Sequence, residues 1–243
     1  MEHRKFCTAG NTAALKYAAS ALWSRGWEYD ASARNLLLPV PSFDPDSRII
    51  GGGRIEDILT EDMTVIGGNL HHKALAGHRC IDLLQDAAYL AENASITAYC
   101  AIRYAENKLS VILRDCPVLI IGWGRIGKCL ADLLHRMGAD VSVYARKDRD
   151  QAMIHALGYS AVVSLDERTL PKNFRVVYNT APQPVLQDSL VAKDTILIDL
   201  ASVAGISGKN VIWARGLPGK DAPESSGLLI AKTVDRLGKE FVL

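Results

Sequence analysis

The segment that most constrains this fold is an apolar run leading into three closely spaced glycines. Residues 118–121 are Val-Leu-Ile-Ile, followed by Gly122, Gly124 and Gly127, and an amphipathic helix is predicted over 125–137. Such a strand–turn–helix needs one glycine for the turn, one for close approach of a phosphate to the backbone, and one for helix packing. The amides that begin the helix favour an anion. The pattern predicts a dinucleotide pyrophosphate at this turn; a glycine-rich turn that binds nothing is the alternative.

Strand and helix patterns alternate along the rest of the chain, and residues 87–109, which contain neither Gly nor Pro, predict one long helix. Further strands are predicted at 5–9, 35–40, 63–66, 141–144, 161–163, 176–178, 195–199 and 211–214, and further helices at 12–25, 148–157 and 225–237. This alternation is typical of parallel sheets covered on both faces. We predict an α/β protein of two doubly wound, Rossmann-like lobes with parallel sheets, joined by the long interdomain helix. Residues 1–106 form a substrate-side lobe, onto which helix 225–243 packs back, and residues 107–224 form the NAD(P)-binding domain.

Composition narrows the function classes. The 243 residues carry 28 basic and 27 acidic side chains, a net charge of +1, so neither nucleic acid nor a membrane surface is an expected partner. The five cysteines are odd in number and form no C-x-x-C pair, so we expect no disulfide framework and no metal site. The first residues are not followed by an apolar stretch of signal-peptide type, and a cytoplasmic location is expected.

The residues after the strand at 141–144 bear on which dinucleotide is bound. A domain that binds NAD usually carries an acidic residue here, about 20 residues after the glycines, for the ribose hydroxyls. This chain has Ala145, Arg146 and Lys147 instead. A guanidinium can grip a 2′-phosphate in a bidentate contact. The sequence therefore predicts NADP, with NAD as the alternative cofactor. The other possibility is that Arg146 and Lys147 belong to a solvated turn that binds no ligand.

Two further strands end in polar residues. Asn179-Thr-Ala-Pro follows the strand at 176–178, and Asp199-Leu-Ala-Ser closes the strand at 195–199. Because ligands bind beyond the carboxyl ends of parallel strands, these side chains are candidates for contact with ribose or nicotinamide, and Asp199 could instead satisfy backbone groups of its own turn. The predicted cofactor-binding set is Gly122, Trp123, Gly124, Arg125, Ile126, Gly127, Ala145, Arg146, Lys147, Asn179, Thr180, Ala181, Ala201 and Ser202.

The sequence identifies no convincing acid–base residue, and the catalytic residues stay unassigned. His71 and His72 follow the Gly67-Gly68 turn and either face a cleft or lie on the surface. The second half of the chain lacks the late Arg, Glu and His set of D-2-hydroxy-acid dehydrogenases, which argues against that activity. Ser225 and Ser226 are predicted to cap the last helix, or to hold a substrate carboxylate at its amides.

Several of these motifs together resemble the A-subunit family of dipicolinate synthase. They are Asn179-Thr-Ala-Pro, Asp199-Leu-Ala-Ser, the block Gly216-Leu-Pro-Gly-Lys-Asp-Ala-Pro-Glu-Ser-Ser-Gly227, the glycine loop, Ala145-Arg146, Leu38-Pro39-Val40 and the segment 88–97. The last 155 residues carry most of the similarity, and the Gly216–Gly227 block is its most specific part. The sequence departs from the family at Val203, where the family usually has Arg.

The resemblance implies an NADP-linked oxidoreductase that converts a dihydrodipicolinate-type ring to dipicolinate during sporulation. It also implies a small carboxylic-acid substrate and a flavoprotein-like B subunit. A homo-oligomer is expected as well. Substrate contacts are expected from Pro39, Asn93, Thr97, Pro218 and Ser226. Two alternatives stay open: an NAD(P)-dependent dehydrogenase of another small carboxylic acid, and a nucleotide-binding subunit without chemistry of its own.

Overall fold

The computed structural model describes residues 4–168 and 170–241, with side chains as far as residue 238. Residues 242 and 243, the end of the segment predicted to pack back on the first lobe, lie outside the described residues. The strands are β1 (Lys5–Thr8), β2 (Glu28–Tyr29), β3 (Asn35–Leu37), β4 (Thr64–Gly67), β5 (Arg79–Asp82), β6 (Pro117–Ile121), β7 (Asp140–Tyr144), β8 (Ser160–Val162), β9 (Val176–Asn179), β10 (Leu186–Gln187), β11 (Ile196–Asp199), β12 (Ile206–Ser207) and β13 (Val211–Trp213). The helices are α1 (Ala13–Trp23), α2 (Ala87–Glu106), α3 (Arg125–Arg136), α4 (Asp148–Ala156), α5 (Leu217–Asp221) and α6 (Pro223–Phe241).

The chain divides into two compact units. The first comprises Met1–Asn93 and Pro218–Leu243, and the second comprises Ala94–Leu217. Helix α2 is continuous through the division, so its first residues belong to one unit and its remainder to the other. The two units and the helix that joins them have the doubly wound α/β character that the alternating pattern predicts.

The first unit is built on a parallel sheet. Within residues 4–82 its five strands pair in the order β2-β1-β3-β4-β5. Helix α1 begins at the cap Thr12, whose hydroxyl accepts the Leu15 N–H at 3.2 Å. Helix α6 packs along α1 so closely that a Cβ on Gly227 would lie 2.5 Å from the carbonyl oxygen of Ala14. The close helix pair makes α6 part of the core of this unit.

The turn after β1 in the first unit is filled by its own chain. A Cβ on Gly51 would lie 2.8 Å from the backbone nitrogen of Asn11, and one on Gly52 would lie 3.3 Å from the Cα of Gly10. The loop that carries these glycines therefore occupies the space beside the β1–α1 turn, where a Rossmann unit would accept a phosphate. Among the described residues, the β1–α1 turn therefore lacks the open space that a phosphate would need.

The second unit contains the glycine loop at residues 122–127. Among its described residues, six parallel strands pair in the order β13-β11-β9-β6-β7-β8. The chain order reverses between β6 and β9, which are neighbours and pair Ile121 with Asn179. Residues 118–121 of β6 and 176–178 of β9 are fully buried, because helices of an α/β fold cover both faces of a parallel sheet. Their carboxyl ends lie at one edge, the carboxyl edge.

The sequence missed some elements. Strand β5 is Arg-Cys-Ile-Asp, with Arg79 and Cys80 exposed, and an edge strand of this kind has no apolar run to reveal it. Strand β2 and the small β10–β12 pair are two residues each. The predicted capping by Ser225 and Ser226 is wrong: α6 begins at Pro223, so both serines lie within its first turn. Proline fits a first helical position because its fixed φ suits the helix and its missing N–H would have no partner there.

None of the helices in the described part of the chain combines the length and apolar character needed to cross a bilayer.

Candidate nucleotide-binding site

The turn between β6 and α3 has the geometry that its glycines predict. Gly122 has φ +106°, and its N–H donates to the carbonyl oxygen of Tyr144 at 2.9 Å. A Cβ on Gly127 would collide with the carbonyl oxygen of Gly122, so helix α3 approaches the turn as closely as backbone permits. The hydroxyl of Thr180 donates to the carbonyl oxygen of Ile121 at 3.0 Å. The residue that follows β9 thus ties the glycine turn to the neighbouring strand of the sheet by a hydrogen bond.

Gly124 differs from the other two glycines because the space beside it is open. It precedes the first residue of α3, has φ −83°, and no atom lies within 4 Å of the position of a Cβ. The first backbone N–H groups of a helix have no partner inside the helix and point toward this opening. The geometry offers an anion a place against the start of α3 without any displacement of protein atoms.

A groove runs along the carboxyl edge from this turn. Its volume is about 310 Å³, and the predicted residues Gly122, Trp123, Gly124, Ala145, Arg146, Lys147 and Ala181 line it together with Ile121, Tyr144, Asp150, Pro182, Gln183 and Val185. A second hollow of about 400 Å³ shares Tyr144, Arg146, Gln183 and Val185 and adds Leu165 and Pro184. The two hollows therefore continue into each other. Arg125, Ile126, Gly127, Asn179, Thr180, Ala201 and Ser202, also predicted, do not line either hollow.

Sequence reasoning missed part of this lining. Gln183 and Val185 belong to the loop after β9, a few residues past the Asn179-Thr-Ala-Pro motif, and Tyr144 is the last residue of β7. The one sequence feature that could have identified these residues as groove lining is that each lies at or near the end of a strand. Asp150 has no such feature, because it lies on α4 and not at a strand end.

The β7–α4 turn places positive charge on the groove wall. Arg146 and Lys147 are exposed, and the Gln151 amide holds the turn by donating to the carbonyl oxygen of Ala145 at 2.8 Å. Asp150 is half-buried in the same wall, with its carboxylate 3.8 Å from Arg149. The wall therefore offers two cations to a phosphate, and one carboxylate lies close by.

The Trp123 ring lines the groove and also contacts Tyr159 and Lys128. Its ring lies edge-on to Tyr159 with centroids 6.0 Å apart, and the ammonium of Lys128 is 5.8 Å from its centroid. Burial raises the pKa of the Tyr159 hydroxyl, which stays protonated at neutral pH. The indole is therefore held by Lys128 of α3 and by Tyr159 as well as lining the groove.

Asn179 is fully buried, and its side chain holds the protein's own loops. Its amide donates to the carbonyl oxygen of Ala181 at 3.1 Å and to Asp199 Oδ1 at 2.9 Å, and its oxygen accepts the Ala181 N–H at 3.0 Å. Both amide protons and the oxygen are therefore in use. The residue shapes the β9 loop that reaches the groove at Ala181, and its contact with a ligand stays a prediction.

Asp199 takes the structural alternative that the sequence left open. It is fully buried, Oδ1 accepts the Ala201 N–H at 3.0 Å, and Oδ2 accepts the N–H groups of Gly205 at 2.7 Å and Ile206 at 2.9 Å. With the bond from Asn179, four donors compensate the burial of this carboxylate. The carboxylate fixes the course of the loop after β11, on which Ser202 is exposed.

The predicted substrate contacts are divided between the units. Pro39, Asn93, Pro218 and Ser226 belong to the first unit and Thr97 to the second. Pro39 is buried, and its carbonyl oxygen accepts the hydroxyl of Ser42 at 2.8 Å. Ser226 is only 3% exposed within α6. Their contact with a substrate stays a prediction.

Strand β9 and the loops that follow β9, β11 and β13, all within the described residues, offer no accessible general base. Tyr178 is fully buried on β9, and burial together with the nearby Glu106 carboxylate raises the pKa of its hydroxyl far above the ordinary value. The loops at 180–185, 200–205 and 214–216, which follow β9, β11 and β13, contain no His, Lys, Asp or Glu. Proton transfer is therefore not assigned to a residue of these loops.

A parallel sheet whose order reverses between β6 and β9, with an open glycine turn at that point, defines a Rossmann-type nucleotide-binding domain. Residues 84–196 match the family described as D-isomer specific 2-hydroxyacid dehydrogenase, NAD binding domain. The match supports a nicotinamide dinucleotide as the cofactor and an oxidoreductase-like fold, and it includes the glycine loop.

The particular proteins that this chain is similar to are dipicolinate synthase A subunits. It is 25% identical over 179 residues to the A subunit of dipicolinate synthase from Bacillus subtilis (strain 168), an alignment that covers 69% of this chain and 60% of that relative. The solved A subunit from Bacillus halodurans has a TM-score of 0.85 at 19% identity, covering 96% of this chain and 97% of that one. The solved A chain from Bacillus subtilis has a TM-score of 0.82 at 19% identity, covering 99% and 97%. The resemblance predicted from the motifs is confirmed, and the fold is shared over nearly the full length.

Proposed function

We propose that this chain is an oxidoreductase that uses NADP to oxidise a small cyclic carboxylic acid. The observation that carries the proposal is one groove in which the open turn at Gly124 and the cations Arg146 and Lys147 lie together. The turn would bind the pyrophosphate that all nicotinamide dinucleotides share. Arg146 and Lys147 would bind the 2′-phosphate that distinguishes NADP from NAD.

The residues of the groove fit such a cofactor. The space beside Gly124 is free of protein atoms, and the closed approach at Gly127 fixes the start of α3 against the turn. The dinucleotide supplies a hydride acceptor when bound. Arg146 would pair with the 2′-phosphate, the first amides of α3 would bind the pyrophosphate, and the β9 loop would form the floor of the groove at Ala181 and Gln183.

We propose a dihydrodipicolinate-type ring as the substrate, converted to dipicolinate during sporulation. Support comes from the similarity to proteins named dipicolinate synthase and from the block Gly216–Gly227. In this reaction the ring loses a hydride to NADP and a proton to the medium, and the product is aromatic. A homo-oligomer and a flavoprotein-like second subunit belong to the same proposal.

A nucleotide-binding subunit without chemistry is the second candidate. The observation that favours it is the lack of a His, Lys, Asp or Glu in the loops at 180–185, 200–205 and 214–216. Addition of dihydrodipicolinate and NADP to the purified chain separates the two candidates. Absorbance at the reduced nicotinamide band should rise for an oxidoreductase and stay constant for a protein that only binds the nucleotide.

Calorimetric titration with NADPH and NADH tests the cofactor proposal on the wild type and on Arg146→Asp. We expect the wild type to bind NADPH more tightly than NADH. The substitution should weaken NADPH binding by roughly 10- to 100-fold, because a hydrogen bond to a charged group contributes about 1.5–3 kcal/mol. NADH binding should change far less.

Arg114→Asp is the matched control, since Arg114 is exposed and precedes β6 at the opposite edge of the sheet. It changes the net charge by the same amount and should leave both affinities unaltered. Equal losses of NADPH and NADH binding in Arg146→Asp would refute the 2′-phosphate assignment.

A further inference from the structure

One charged side chain stands out among the loops that follow β9, β11 and β13 at the carboxyl edge. In the loops at 180–185, 200–205 and 214–216, Arg215 is the single ionisable residue. It is exposed, two residues past the end of β13, and none of the ion pairs among the described residues involves it. An edge formed otherwise of apolar and small polar residues therefore carries one cation without a carboxylate partner inside the described protein.

This cation rests on an anchored aromatic ring. The guanidinium carbon of Arg215 lies 5.2 Å from the centroid of Trp213, within the range of a cation–π contact. The indole N–H of Trp213 donates to the carbonyl oxygen of Ala201 at 3.0 Å. Ala201 in turn is held by the buried Asp199 carboxylate. A chain of contacts thus ties the guanidinium to the loop after β11, although the residue itself is exposed.

The position of Arg215 suits a substrate rather than the cofactor's phosphates. The pyrophosphate position lies at the start of α3, next to β6, and the adenine side of the groove follows β7. Because a dinucleotide crosses the point where the strand order reverses, its nicotinamide half would lie over β9 and β11. Strand β13 is the next strand outward, pairing Ile198 with Ile212. A ring placed against the nicotinamide would find Arg215 at its outer side.

We propose that Arg215 binds a carboxylate of the substrate that undergoes oxidation. It would thereby select ring compounds that carry a carboxylate. A guanidinium binds a carboxylate through two parallel N–H bonds, and its stacking on Trp213 fixes the plane of that fork before the substrate arrives. The inference rests on the proposed function, since it needs the nicotinamide half to lie over β9 and β11. Trp213 acts as a positioning residue for Arg215.

The test uses the full chain saturated with NADP and titrates it calorimetrically with pyridine-2,6-dicarboxylate and, as its neutral counterpart, pyridine-2,6-dicarboxamide. The wild type should bind the dicarboxylate and discriminate against the diamide. Arg215→Met should weaken dicarboxylate binding at least tenfold, and Arg215→Lys should fall between the two because it keeps the charge and loses the fork. Arg114→Met, matched in charge at the opposite edge, should bind like the wild type.

A second variant separates positioning from charge. Trp213→Ala retains the guanidinium and removes its support, and we expect dicarboxylate affinity to fall several-fold with NADPH affinity unchanged. Trp213→Phe keeps the ring face and should lose less. Near-ultraviolet circular dichroism and NADPH affinity establish that each variant is folded.

The outcomes distinguish this inference from the function on which it rests. Equal dicarboxylate affinity in the wild type and Arg215→Met, with NADPH binding intact, overturns the assignment of Arg215 and leaves the oxidoreductase proposal standing. Dicarboxylate binding that is absent from the NADP-loaded wild type overturns the inference and the substrate class together. Failure of the wild type to bind either dinucleotide overturns the proposed function, and the inference with it.

Discussion

Single residues in the glycine loop have separable roles. Gly122 adopts a left-handed conformation that other residues rarely take, and Gly127 sits where a side chain would strike backbone. Gly124 has neither constraint, because its φ is −83° and its surroundings are empty. A side chain at Gly124 therefore interferes with a ligand, whereas one at Gly127 interferes with the fold.

Gly124→Val should abolish dinucleotide binding and leave the thermal midpoint nearly unchanged, since the isopropyl group would occupy the pyrophosphate position. Gly127→Ala is the contrasting variant and should lower the thermal midpoint, because the helix must move away from the turn. Calorimetric titration with NADPH and thermal unfolding measure the two effects. Wild-type affinity in Gly124→Val would remove this turn from the binding site.

Asn179 and Asp199 show how far residue type and spacing can lead. Both stand at strand ends where ligand contacts are expected, and both are fully buried in a network of hydrogen bonds within the protein. A polar residue at a strand end is compatible with either role. The direction of its side chain depends on the loops that close around it, here on Gly205, where a Cβ would lie 2.5 Å from the Asn179 amide nitrogen.

At the scale of elements, helix α2 begins at a charged cap. Asp86 Oδ1 accepts the Tyr89 N–H at 2.7 Å and a bond from Arg236 Nη2 at 2.7 Å. Burial alone would raise the pKa of the Asp86 carboxyl, but the bonds from Arg236 and from the start of α2 outweigh it and lower the pKa below 3.8. One carboxylate thus links the start of α2 to α6.

Asp86→Ala should lower the free energy of unfolding by about 1 kcal/mol at neutral pH, the usual cost of losing such a cap. A lowered folded-state pKa means that the ionised carboxylate stabilises the protein above the unfolded-state pKa. The effect of the substitution should therefore be complete at neutral pH and shrink as the pH falls below about 4.

Asp86→Asn is the control, because an asparagine keeps the acceptor for the Tyr89 N–H and loses the charge. Urea unfolding between neutral pH and about pH 3 compares the three proteins. A difference between wild type and Asp86→Ala that persists undiminished in acid would contradict an ionised cap.

At the scale of the whole molecule, the chain starts and finishes in the same unit. Helix α6 returns to pack on α1, and Gly227 allows the two backbones to approach. The ion pairs Arg4–Asp235 at 3.0 Å and Lys232–Glu92 at 2.8 Å also join α6 to distant parts of that unit. Stability of the first unit therefore depends on α6, which is distant in sequence from the sheet of that unit.

Gly227→Ala should lower the free energy of unfolding by about 1–3 kcal/mol, the range for overpacking a close contact. Gly219→Ala, in α5, is matched in chemistry, and nothing lies within 4 Å of its added Cβ. That control should be neutral or slightly stabilising. Urea unfolding of both variants checks the comparison, and equal stability would mean that the helix pair has room to relax.

The sequence by itself determined the α/β class, most of the long elements and the glycine turn. These are encoded locally, by apolar runs of strand length, by helical spacing and by glycines at fixed offsets. The strand–turn–helix pattern of residues 118–127 is recognisable without reference to any other part of the chain. Edge strand β5, with exposed Arg79 and Cys80, carried no such signal and was missed.

Only the tertiary structure decided which polar residues of the carboxyl edge are buried and which are exposed. Loops from strands far apart in the chain meet at the carboxyl edge, and their packing turned Asn179 inward and set Arg215 on Trp213. It also brought Gln183 into the groove wall beside Arg146. Such contacts join residues separated by tens of positions, and a local pattern cannot encode them because burial and hydrogen bonding are settled only when the sheet is assembled.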